Sequence, residues 1–90
     1  MKEQELYQAA LKKWGEQSQA DMVIEECNEL IHVVLKERRG KDSWQHVVEE
    51  AVDVSLCTEQ IRTQHPAEFA KIKQWKLERL AGLLCEVYEP

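Results

Sequence analysis

With 90 residues the chain has room for one domain, and a chain this short buries only a modest share of its surface. Apolar residues make up 43% and charged residues 32%, which excludes a disordered chain. The net charge of −5 speaks against sequence-independent binding to DNA or RNA, which rests on a basic surface.

Only three glycines and two prolines interrupt the chain, so long helices with short connections are expected. A first helix is predicted from about Lys2 to Lys13, with Leu6, Ala9, Ala10 and Lys13 at helical spacing and a stop near Gly15. A second should run from about Ser18 to Arg38 and end at Gly40. Asp42 or Ser43 then caps a third helix reaching about Gln64. Pro66 suits the first turn of a fourth, from Ala67 to about Leu84. The expected fold is all-α, an up-and-down bundle of about four helices.

Apolar stripes predict its core. They are Val23, Cys27, Leu30 and Val34 on the second helix, and Trp44, Val47, Val48, Ala51 and Val54 on the third. Ile72, Trp75, Leu80 and Leu83 continue the pattern on the fourth. Cys27, Cys57 and Cys85 have no CxxC spacing and read as buried apolar residues of a reducing compartment. No stretch approaches the ~20 apolar residues of a bilayer span, and the charged N-terminal run lacks the apolar segment of a signal peptide. A soluble, cytoplasmic protein without membrane contact is expected.

The acids carry the functional signal. On the second helix Met22, Glu26, Glu29 and Val33 are separated by four, three and four residues and share one stripe, placing two carboxylates beside the core. Glu25 lies one turn before Glu29 and flanks the same patch. The third helix repeats this with Glu50 and Asp53, and Glu50 aligns with Val54, Cys57 and Ile61. Either group alone reads as a solvated helix edge. Both together, on consecutive helices and each bordering the core, predict a cluster. Two like charges ~4 Å apart repel by about 4 kcal/mol at an effective dielectric near 20. Protonation or a bound cation relieves this. An all-oxygen donor set suits Mg²⁺, with Mn²⁺ as a substitute, and Mg²⁺ commonly takes phosphate oxygens as further ligands.

Trp14-Gly15, Gln19, Glu25-Glu26-x-x-Glu29-Leu30 and Glu50-x-x-Asp53-Val54 resemble the MazG-like all-α nucleoside triphosphate pyrophosphohydrolases, which carry EExxE on one helix and ExxD on the next. Twenty residues separate Glu29 from Glu50, and the resemblance spans roughly Trp14 to Arg79. It implies hydrolysis between the α and β phosphates, with Glu26, Glu29, Glu50 and Asp53 as metal ligands. Glu25 is implied as a further ligand or as the base on a metal-bound water. Lys76 and Arg79 resemble the family's phosphate-binding positions. A homodimer or a dimer of dimers is also implied, with the site near the subunit interface and some substrate contacts from the neighbouring chain.

Other residues have two readings. Trp14 and Gln19 are candidates for stacking on and bonding to a base, while Trp14 also reads as a plug on the bundle end. Lys36, Arg38, Arg39 and Lys41 either complement a helix C-terminus or meet phosphate. Trp44 and Trp75 are assigned to the core, and His32, His46 and His65 to surface or helix-end roles. No Gly-rich phosphate loop, Cys/His zinc pattern or Ser/His/Asp context occurs. Against the enzyme stand an acidic helical module docking a basic partner and a relative that binds nucleotide or metal without turnover.

Overall fold

In a computed structural model residues 1–88 are described, with side chains up to residue 85. They form four helices, α1 (Glu3–Trp14), α2 (Glu16–Arg38), α3 (Trp44–Gln64) and α4 (Pro66–Tyr88), and no strand occurs among the described residues.

Local chemistry sets each boundary. Gly15 alone joins α1 to α2, at φ +89°, where a side chain would be strained. Its N–H donates to the Leu11 carbonyl (2.9 Å), and its own carbonyl accepts from the Gln19 N–H (3.1 Å). One residue thus closes α1 and opens α2, so α2 begins at Glu16 and not near Ser18. At the other end Gly40 has φ +72°. The Gly40 N–H donates to the Glu37 carbonyl (2.9 Å) and the Lys41 N–H to that of Lys36 (2.9 Å), the paired bonds of a Schellman terminus. Ser43 is the cap of α3, its hydroxyl accepting the His46 N–H at 3.2 Å. Pro66, which has no N–H to leave unpaired, starts α4.

α2 and α3, joined by this short turn, pack along each other as a helical hairpin, and α1 lies against both. Gln4 ties the start of α1 to the end of α3, donating to Thr63 Oγ1 at 3.0 Å and accepting from Arg62 Nη2 at 3.4 Å. The core is thin: Tyr7, Val33, Val47, Cys57 and Gln60 are buried, one from each of α1 and α2 and three from α3. Among the described residues no helix is long and apolar enough to cross a membrane.

α4 departs from the expected bundle. Among the described residues it touches only α3 and approaches neither α1 nor α2. The radius of gyration is 16.5 Å, against about 12 Å for a compact chain of this length. The predicted stripe of Ile72, Trp75, Leu80 and Leu83 is therefore exposed, because among the described residues the helix carrying it packs only against α3. Trp75 is 58% exposed and Trp44 is 65% exposed, so neither tryptophan is core. Val48 and Ala51 also face outward. Val23, Cys27, Leu30, Val34 and Val54 are half-buried, and Val33 is the buried residue of α2. Of the three cysteines Cys57 is buried, Cys27 half-buried and Cys85 exposed. The accessible surface is 7380 Å², whereas a compact monomer of this mass exposes about 5,500 Å².

Candidate metal centre

The α2–α3 hairpin brings the two acidic motifs together. Val33 is buried in the seam, and the residues one and two turns before it on the same stripe are Glu29 and Glu26. Three residues after buried Val47, α3 presents Glu50. Carboxylate oxygens of Glu26, Glu29 and Glu50 all lie within 4.8 Å of one another. Glu26 and Glu50 are half-buried and Glu29 is exposed. Glu25 and Asp53 are both exposed and flank the triad as neighbouring charges.

The electrostatics are those of a site short of positive charge. Burial pushes the Glu26 carboxyl above its ordinary range, and the charges of Glu29, Asp53, Glu50 and Glu25 push it further. Glu50 is raised for the same reason, burial first and then Glu29, with His46 acting weakly the other way. The nearby Cys57 thiol is also raised, by burial and then by the charges of Glu26 and Asp53.

One oxygen of Glu26 and one of Glu50, Oε2 in each case, are buried without a hydrogen-bond partner. Buried polar atoms are normally satisfied, and orphaned oxygens on converging carboxylates are what a cation would satisfy. The donors are hard oxygens at mutual distances that a single ion can bridge, so the residues fit Mg²⁺ or Mn²⁺ and not a thiolate-seeking metal.

A cavity of about 380 Å³ adjoins the triad, and Glu29 and Glu50 line it. Its other walls are His32, Val33 and Lys36 of α2 with Asp42, just before α3, and His46 in its first turn. His46 is the residue sequence reasoning missed. Its Nδ1 lies 3.0 and 2.9 Å from the two Asp42 oxygens and its Nε2 lies 3.4 Å from Glu50 Oε1. The signal was present as Asp42-x-x-x-His46-x-x-x-Glu50, a one-turn ladder, but a search for metal-ligand spacing among histidines passes over it. Lys36 Nζ sits 3.8 Å from Asp42 Oδ2, giving the pocket a cation on its rim.

The remaining sequence candidates are not gathered here within one chain. Trp14 ends α1, 56% exposed, with the Lys13 ammonium 5.2 Å from its ring centre. Gln19 is half-buried on the first turns of α2 and does not line the cavity. Lys76 and Arg79 stand on α4, which does not approach α2. Lys76 borders a separate apolar groove of about 560 Å³ with Phe69, Ile72 and Leu80, and its ammonium lies 5.3 Å from the Trp75 ring centre.

No protein-family model matches the chain, and neither a curated protein nor a solved structure matches it significantly.

Proposed function

We propose that this chain is a Mg²⁺-dependent nucleoside triphosphate pyrophosphohydrolase, cleaving (d)NTPs between the α and β phosphates to give a nucleoside monophosphate and pyrophosphate. The observation that carries the reading is the pair of orphaned buried oxygens on Glu26 and Glu50, converging with Glu29 across the α2–α3 seam. The two-part acidic pattern that resembles the MazG-like enzymes supplies the choice of substrate.

Glu26, Glu29 and Glu50 would hold the ion, with Asp53 one turn after Glu50 as a further ligand. When bound, a divalent cation lowers the pKa of its water and neutralises charge on phosphate oxygens. The chain's own residues do the rest. Glu25, exposed beside the triad, accepts a proton from the attacking water. Lys36 and His32, on the wall of the adjoining cavity, face the anionic tail of the substrate.

The oligomer belongs to the same reading. About 1,900 Å² of surface beyond the compact expectation, much of it apolar on α3 and α4, supports a homodimer or homotetramer. Lys76 and Arg79 share α4 with that exposed apolar stripe, so a neighbour covering the stripe also meets them. They and Trp14 would then serve the partner's acidic site. The exposure of Glu25, Glu29 and Asp53 favours a second reading, an acidic face that docks a basic partner. The half-burial of Glu26 and Glu50 weighs against it.

The test is pyrophosphate release from a panel of NTPs and dNTPs with Mg²⁺, Mn²⁺ or EDTA. Metal-dependent release with a monophosphate as co-product is expected. A folded, helical sample that releases pyrophosphate from no nucleotide would remove the enzyme reading in favour of the docking module.

A further inference from the structure

We propose that His46 is a positioning residue for Glu50, oriented in turn by Asp42, and that the pair holds Glu50 with one carboxylate oxygen free for a divalent cation. The inference rests on the metal-site reading above, but its own evidence is the ladder of contacts at the start of α3.

Asp42 precedes the helix and is itself anchored. Its Oδ1 accepts the Ser43 N–H at 2.8 Å, while Lys36 Nζ lies 3.8 Å from its Oδ2. Both carboxylate oxygens then face His46 Nδ1, at 3.0 and 2.9 Å, which fixes the plane of the ring and places the Nδ1 proton on the Asp42 side. The ring's other nitrogen, Nε2, is directed one turn along the helix to Glu50 Oε1, 3.4 Å away.

The consequence lies in the two oxygens of Glu50. Oε1 meets His46, and Oε2 is buried with no partner of its own. A glutamate has three side-chain torsions, and without a contact at its tip it would sample positions away from Glu26 and Glu29. Engaging Oε1 removes most of that freedom and leaves Oε2 as the ligand atom. Carboxylate ligands of metals are commonly held this way by outer partners, whose loss weakens metal binding by about 10- to 100-fold. His46 takes no place among the cluster of Glu26, Glu29 and Glu50 oxygens, so its effect passes through Glu50.

The experiment is Mn²⁺ binding followed by electron paramagnetic resonance, on the full chain as wild type, His46→Ala, Asp42→Asn, Glu50→Gln and the His46→Ala/Glu50→Gln double variant. Far-UV circular dichroism checks that the helices persist. The expected result is a loss of about tenfold or more for His46→Ala, and a smaller loss in the same direction for Asp42→Asn. In the Glu50→Gln background, His46→Ala should add nothing further, a non-additivity that a merely structural histidine would not produce. Wild-type affinity in His46→Ala, or an equal loss in both backgrounds, overturns the positioning role and leaves the metal site standing. A folded wild type that takes up no Mn²⁺ overturns the metal site itself, and this inference with it. Asp42→Asn keeps the test open if His46→Ala does not fold, since it leaves the ring in place and removes only its anchor.

Discussion

Leu80→Asp should split the proposed oligomer into single chains. Leu80 lies on the face of α4 left half-exposed among the described residues, and it borders the groove shared with Phe69 and Ile72. About half of its surface remains exposed in a single chain, at 52%. Full burial of a leucine contributes about 1.5–3 kcal/mol, so covering the remaining half contributes about 1 kcal/mol per copy. In a two-fold interface the substitution occurs twice, giving a loss of about 2 kcal/mol, or roughly thirtyfold in the dissociation constant. That figure is a floor, because the new carboxylate must also be stripped of water. The surface to be covered is ample: the excess of about 1,900 Å² per chain exceeds the ~800 Å² per partner of a standard interface. Sedimentation equilibrium and light scattering provide the assay. The wild type is expected at two or four times the 10.6 kDa chain mass, and Leu80→Asp is expected to dissociate at higher concentration with its helices retained. A wild-type chain that sediments at 10.6 kDa across the concentration range, while helical and cooperatively folded, would refute the argument from exposed surface.

Glu50→Gln should abolish the proposed Mg²⁺-dependent turnover while raising metal-free stability at neutral pH, since it removes one charge from the repelling triad; paired activity and urea-unfolding measurements check both halves. Glu26 and Glu50 have folded pKa values above their ordinary 4.5, so the folded state binds more protons than the unfolded one, and metal-free stability should fall as pH rises from about 4.5 through those raised values. His46, raised chiefly by its bond to Asp42, acts with the same sign from its ordinary 6.5 upward. Urea midpoints against pH should therefore decline without metal and flatten with Mg²⁺; a metal-free midpoint that climbs over that interval would contradict the crowding of carboxylates. Gly40→Ala should destabilise the fold by about 1–2 kcal/mol, because φ +72° places a Cβ in the left-handed region although nothing lies within 4 Å to obstruct it. An unchanged urea midpoint in that variant would show that the turn relaxes at no cost.

The helices and their ends were legible in the residues because their causes are local. A glycine at positive φ, a serine hydroxyl on the N–H three residues on and a proline in a first turn act within one turn of themselves, so Gly40, Ser43 and Pro66 mark boundaries before any packing exists. The acidic centre was legible for a related reason. At 3.6 residues per turn, Glu26 and Glu29 had to share the stripe that ends in buried Val33, and Glu50 had to follow Val47 on the facing helix. Even the His46 ladder was written at four-residue spacing, though its meaning depended on knowing that Glu50 turned toward α2.

The partners of each stripe were decided only by the tertiary structure. The repeat of Ile72, Trp75, Leu80 and Leu83 reads the same whether the covering surface is the same chain or another copy, because periodicity reports an apolar face and not its occupant. The same holds for Trp44, a good core residue by pattern that stands largely exposed. Asp53 was as good a ligand candidate as Glu50, one turn away on the same helix. The approach of α2 to α3 brings Glu50 into the triad with Glu26 and Glu29 and leaves Asp53 at its edge. Spacing along a helix settles which side chains share a face, whereas the distance between two helices at a given turn depends on every side chain packed between them.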